Sequence, residues 1–137
     1  MLKNVRHTGI ITLHPEKQLT FYQKCLGMKL VMKKTLTGQF VETLLNLQGI
    51  ELTYYKLAIG NTRWLIELWH ITKPVINHLP STAHIAFTVK DLDKLYKQLI
   101  KYSVEIVSTP MIDEAGRNKL MFCKDYEGNL VELVEEL

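Results

Sequence analysis

Residues Ser81 to Asp93 read STAHIAFTVKDLD, and how this stretch folds decides the architecture of the chain. From Ile85 to Val89 every position is apolar or β-branched, the composition of a strand covered on both faces. Asp91, a favoured N-cap type, then opens a helix in which Leu92, Leu95, Leu99 and Ile100 recur at helical spacing. His84 stands at the head of the strand, and an imidazole there needs a partner. For a lone histidine the ordinary reading is a core residue satisfied by one hydrogen bond. Other ligand-type residues in similar strands would change it to a metal ligand.

The same order of elements occurs earlier in the chain. VRHTGIIT, Val5 to Thr12, is a strand with His7 near its start, closed by the turn at His14-Pro15. PEKQLTFYQKCLG then places Leu19, Tyr22 and Leu26 at helical spacing, with Pro15 in the first turn, Gly27 as the stop, and Phe21 and Tyr22 packing the helix onto its sheet. MKLVMKK is a strand, and Gly38 to Gly49 carries a short helical pattern through Phe40, Val41, Leu44, Leu45 and Leu47. IELTYYKLAIG and TRWLIELWH follow as strands joined at Gly60-Asn61. ITKPVINHLPST, with two prolines, is the connector between halves. Beyond the helix at Asp91 come three strands, VEIVST, RNKLMFCK and NLVELVEEL, the first two separated by PMIDEAG and the last two by the turn DYEGN. Strand, helix and three strands therefore occur twice, with the helix at Gly38 to Gly49 as the asymmetry. The expectation is a single domain over 1–137, its first module 1–70 and its second 82–137, with one site between the two.

Late in each half a glutamate interrupts an apolar strand: Glu67 between Ile66 and Leu68, and Glu132 between Val131 and Leu133. Burying a carboxylate there is costly unless a cation, a proton or a hydrogen-bond donor compensates it. Strand alternation puts His84 on one face with Ala86 and Thr88, and His7 on one face with Gly9 and Ile11. A small residue two positions beyond each histidine leaves room beside the imidazole. Two imidazoles and two carboxylates suit a divalent transition metal, whether Ni, Co, Zn, Mn or Fe(II). His14 beside Pro15, His78 in the connector and His70 at the end of its strand read as surface residues.

Composition narrows the alternatives. The chain has 137 residues, 47% of them hydrophobic, which is enough to bury a core. A net charge of +3, with lysines scattered along the chain, gives no support for nucleic acid as a partner. The longest early apolar run, Gly9 to Leu13, is too short for a signal peptide or a membrane span. Cys25 and Cys123, the two cysteines, read as free thiols in a reducing compartment with no base beside them. The expected location is the cytoplasm, away from membranes.

The motifs HTGIITLHPEKQLTFYQKCLGMKLV, LIEL, HIAFTVKDLD and DYEGNLVELVE, in this order, resemble the vicinal oxygen chelate superfamily, which includes glyoxalase I, methylmalonyl-CoA epimerase, extradiol dioxygenases and the fosfomycin- and bleomycin-resistance proteins. The resemblance spans nearly the whole chain. It implies an α+β fold of paired βαβββ modules whose curved mixed sheet forms a cup around a metal, often in a homodimer. By position, His7, Glu67, His84 and Glu132 match the family's metal ligands. It further implies an isomerase, lyase or epimerase acting on a small molecule that chelates the metal through adjacent oxygens, with Glu67 or Glu132 as base. An Fe(II) dioxygenase needs only His7, His84 and Glu132, and a drug- or metabolite-sequestering protein needs no catalysis at all. Ile11, where glutathione-binding members carry a basic residue, argues against a glutathione substrate. Arg63, Arg117 and Lys119 could meet an anionic substrate group at the mouth of the cup, and Trp69, with Tyr54 and Tyr55, could line a pocket.

Overall fold

The computed structural model describes residues 1–25, 27–75, 84–124 and 130–137. Strand β1 (Leu2–Ile11) leads into helix α1 (Pro15–Thr20), which continues as a wider turn over Phe21–Cys25. Gly27 stops it at φ 71°, with its own N–H on the Gln23 carbonyl and that of Met28 on the Tyr22 carbonyl. Glycine takes this left-handed position without strain. Next come β2 (Lys29–Leu36), α2 (Gln39–Leu45), β3 (Glu51–Ala58) and β4 (Trp64–Lys73). The second half holds β5 (His84–Val89), α3 (Leu92–Lys101), β6 (Met111–Ile112), β7 (Asn118–Lys124) and β8 (Leu130–Glu136). Asp91 caps α3, accepting from the Lys94 N–H at 2.9 Å. Leu26, the connector over 76–83 with His78, the turn over 125–129, and the side chains of Phe21 and Cys25 lie outside the described residues. Among the described residues no helix is long and apolar enough to cross a membrane.

All eight strands form one mixed sheet in the order β2-β3-β4-β1-β5-β8-β7-β6, curled into a half-barrel cup. β1 runs parallel to β4, β5 parallel to β8, and β1 and β5 lie antiparallel along the middle. Period-two alternation divides the side chains between two faces. On one side of the first half, Tyr55, Leu57 and Leu68 pack with Leu19 of α1 and with Met28. In the second half Val89, Met121, Cys123 and Leu133 pack with Leu92 of α3. Inside the cup, Leu52, Trp69 and Phe122 meet Val41, Leu44 and Leu45 of α2. The helix that breaks the repeat is thus the one that closes an end of the cup. Leu47, expected on its apolar stripe, falls past its last turn and is exposed.

One expected strand does not form. VEIVST contributes only an isolated bridge between Ile106 and Cys123, and the paired strand is β6, inside the stretch read as a connector. The reason lies in the hydrogen bonds. The N–H groups of Val107 and Ser108 both donate to the Phe122 carbonyl, at 3.0 and 3.1 Å, and Ser108 Oγ accepts from the Phe122 N–H at 2.9 Å. A side-chain oxygen replaces a backbone acceptor and interrupts the ladder.

Leu57 is fully buried between sheet and α1. Leu57→Ala is expected to cost about 2–5 kcal/mol, seen as a lower urea midpoint with an unchanged slope.

Candidate metal centre

Two neighbouring rows across the sheet build the site. In the first, Lys56 on β3 pairs with Glu67 on β4, Glu67 with Gly9 on β1, and Gly9 with His84 on β5. In the second, His7 pairs with Ala86, Ala86 with Glu132 on β8, and Glu132 with Phe122 on β7. Each row has a small residue, Gly9 or Ala86, beside its histidine, and the His84 ring lies directly over Gly9. Two indoles brace the imidazoles. Trp64 stacks against His7 and Trp69 against His84, each with ring centroids 4.5 Å apart.

His7 Nε2 is 2.8 Å from His84 Nε2 and 3.0 Å from Glu132 Oε2, and His84 Nε2 is 3.3 Å from the same oxygen. The three residues are 2, 3 and 8% exposed. Three donors bound roughly 2.0–2.2 Å from one ion, at angles of about 90–110°, stand roughly 2.8–3.6 Å from one another. The observed separations fall in that window. Hydrogen bonding agrees: Glu132 Oε2 lies within ion-pair range of both imidazole nitrogens, yet neither it nor His7 Nδ1, both buried, has a hydrogen-bond partner among the described residues. An orphaned buried polar atom costs about 1–3 kcal/mol, and a cation between the three donors would satisfy the oxygen. Burial pushes the Glu132 carboxyl up, but the two imidazoles against it outweigh burial and hold it well below the usual carboxylate range. The residues present therefore fit a divalent ion with nitrogen and oxygen ligands.

Glu67 stands at the border of this group. Its Oε2 is 4.0 Å from His7 Nε2, and its Oε1 accepts from the Trp69 indole N–H at 2.5 Å. The structure thus brings His7, His84 and Glu132 to one point and holds Glu67 beside them.

A cavity of about 330 Å³ opens onto His7, Glu67 and Glu132. Phe40, Val41 and Leu44 of α2 give it an apolar end, and Arg6, Lys34, Lys56 and Arg117 give it basic walls. Trp69 and Arg117, expected near substrate, line it. Arg63 instead reaches Glu136 Oε1 at 3.3 Å, and Lys119 reaches Asp93 at 2.7 Å; neither lines the cavity. Tyr54 faces the cavity while Tyr55, one residue on, packs with α1. His14 is exposed and His70 half-buried.

Sequence reasoning missed Trp64 and Lys56. For Lys56 the signal was present: residues paired across a hairpin share a face, so Lys56, opposite Glu67, and Tyr54, opposite Trp69, had to point into the cup with them, whereas Trp64 lies beyond a register shift after Leu57 that alternation does not foretell. Burial pushes the Tyr54 phenol up to about 12, helped by Glu67. Burial lowers the Lys56 ammonium below its ordinary value, with Glu67 pulling the other way.

A family model described as Glyoxalase/Bleomycin resistance protein/Dioxygenase superfamily matches residues 4–133. No curated protein matches the sequence. Among solved structures, the chain is similar to methylmalonyl-CoA epimerase from Mycobacterium tuberculosis, at 21% identity and TM-score 0.72, covering 99% of this chain and 89% of that one. A superfamily member from Vibrio splendidus is 12% identical with TM-score 0.65, covering 99% of this chain and 100% of the other. A variant of the Streptomyces coelicolor methylmalonyl-CoA epimerase, in complex with 2-nitronate-propionyl-CoA, is 18% identical with TM-score 0.64 and 99% coverage of both chains. These likenesses carry the fold.

Proposed function

We propose that this chain, which belongs to the glyoxalase/bleomycin resistance protein/dioxygenase superfamily, is a divalent-metal-dependent isomerase, lyase or epimerase in which His7, His84 and Glu132 hold the ion and Glu67 moves the proton. When bound, the ion supplies Lewis-acid polarisation to a substrate that offers two adjacent oxygens. The chain's own residues do the rest. Glu67 Oε2 is the base: it lies beside the ligand group, borders the cavity and makes no hydrogen bond among the described residues. The Trp69 indole N–H holds the other oxygen, so the carboxylate cannot swing away from a substrate C–H. Burial of Glu67 and the apolar end formed by α2 keep water from competing for the proton. Glu132 is less suited to the role, because its Oε2 is taken up between two imidazoles. The single observation that carries this reading is the placement of Glu67 next to the ligand trio and outside it.

Glu67→Gln separates the roles. It is expected to leave bound metal within about twofold of wild type while proton transfer falls by roughly 10²–10⁴-fold. The readouts are metal content and solvent deuterium incorporation during epimerisation of acyl thioesters or isomerisation of thiohemiacetals. A variant that exchanges the proton as fast as wild type removes Glu67 from the chemistry.

A second reading draws on the same geometry, since two histidines and one carboxylate are by themselves the ligand set of Fe(II) oxygenases. Oxygen uptake with catechols by the iron-loaded protein, undiminished in Glu67→Gln, would select it.

A further inference from the structure

Lys56 is a half-buried cation of the cavity wall that makes no ion pair among the described residues. Arg6 pairs with Glu136 at 2.7 Å, Lys34 pairs with Glu114 at 3.7 Å, and Arg117 lies exposed at the rim. Lys56 Nζ sits 4.2 Å from the centroid of the Trp64 ring and 5.1 Å from that of Tyr54. Among the described residues it has no hydrogen bond and no ion pair. Aromatic faces attract an ammonium, but they leave its three N–H donors unused. The residue itself lines the space that a ligand would fill. Trp64 packs on His7 as well as on Lys56, so the ammonium and one imidazole of the ligand trio contact the same indole, within the length of a small molecule.

We propose that Lys56 is a specificity-determining residue: boxed by Trp64 and Tyr54, its ammonium takes a substrate carboxylate separate from the adjacent oxygens directed at the ion. The preferred substrates are then small acids that chelate at one end and carry a further carboxylate at the other. This deepens the metal-dependent reading and rests on it. A singly charged carboxylate suits the place better than a phosphate, because Glu67 lies opposite Lys56 in the sheet and Asp113 and Glu114 also line the cavity. Together these carboxylates leave little net positive charge for a doubly charged group.

Malate and lactate test this directly. Both offer a hydroxyl and an adjacent carboxylate, and only malate adds a second carboxylate. The two tryptophans of the chain each contact a ligand histidine, so their fluorescence reports occupancy without any turnover. Zinc-loaded wild-type protein is expected to bind malate at least about tenfold more tightly than lactate, the contribution of a hydrogen bond to a charged group. Lys56→Met should erase that preference while leaving lactate affinity and zinc content unchanged, and Lys56→Arg should keep it. A merely structural lysine would shift the unfolding midpoint and leave the malate-to-lactate ratio alone. Persistence of the preference in Lys56→Met overturns the assignment. The same titrations on metal-free protein distinguish the two readings. A Lys56-dependent malate preference without zinc uptake sinks the metal reading and keeps the carboxylate site. Zinc uptake with no preference for malate sinks the carboxylate site alone.

Discussion

Glu132→Ala is expected to yield a folded protein that no longer competes with a chelator for zinc or cobalt. The loss should exceed the roughly 10–100-fold that follows removal of an outer partner of a metal site, because the substitution deletes a donor itself. Among the described residues, Glu132 Oε2 is the carboxylate oxygen close to both imidazole nitrogens, at 3.0 and 3.3 Å. Without it, His7 and His84, already 2.8 Å apart, are left to share a proton that any incoming ion must displace. The ladder survives, since the pairings of residue 132 with Ala86 and Phe122 are backbone bonds. His84→Ala would be less informative, for it also removes ring packing against Trp69 and Phe122. The decisive measurement is competitive zinc binding beside a urea melt. Wild-type zinc affinity in a well-folded Glu132→Ala protein would falsify the ligand assignment and the function built on it.

How much of this was legible in the sequence differs from residue to residue. His7, His84, Glu67 and Glu132 stood out because each is a polar group in an apolar strand, where burial without compensation is expensive. Alternation then assigned Gly9 to the face of His7 and Ala86 to that of His84, and the duplicated order of elements pointed to one site between two modules, while the cup itself came from the family resemblance. Ligand type could not say which glutamate joins the imidazoles. That depends on register across three strand pairings and on the indole of Trp69, which holds Glu67 back through a contact only two residues away. Lys56 was obscured for another reason: a lysine in a strand is ordinarily solvated by its flexible stem, and its role comes from aromatic neighbours placed by hairpin pairing. The failed strand at residues 104–109 turned on one serine oxygen, a local competition that hydrophobic pattern does not register.

Gly9→Ala is the smallest change with a large expected effect. Gly9 occupies ordinary strand backbone, so its role is one of space and not of conformational freedom. A Cβ built there would penetrate the His84 ring at Cε1 and Nδ1, far inside van der Waals contact. The ring has no easy retreat, with Trp69 packed on it and His7 Nε2 at hydrogen-bonding distance. Either His84 turns out of the ligand group or β1 and β5 separate where they pair. Overpacking of this kind costs about 1–3 kcal/mol, and displacement of His84 removes a donor as surely as deleting it. The expected result is a lower unfolding midpoint together with loss of tight zinc uptake. Ala86 provides the internal comparison: it holds the corresponding place in the other row and already carries a methyl group. Ala86→Gly adds no atom, so it should retain zinc and lose about 1–2 kcal/mol, from the freer backbone and the buried methyl group removed. Should Gly9→Ala bind zinc as wild type does, His84 would not be a ligand whose position this strand crossing dictates.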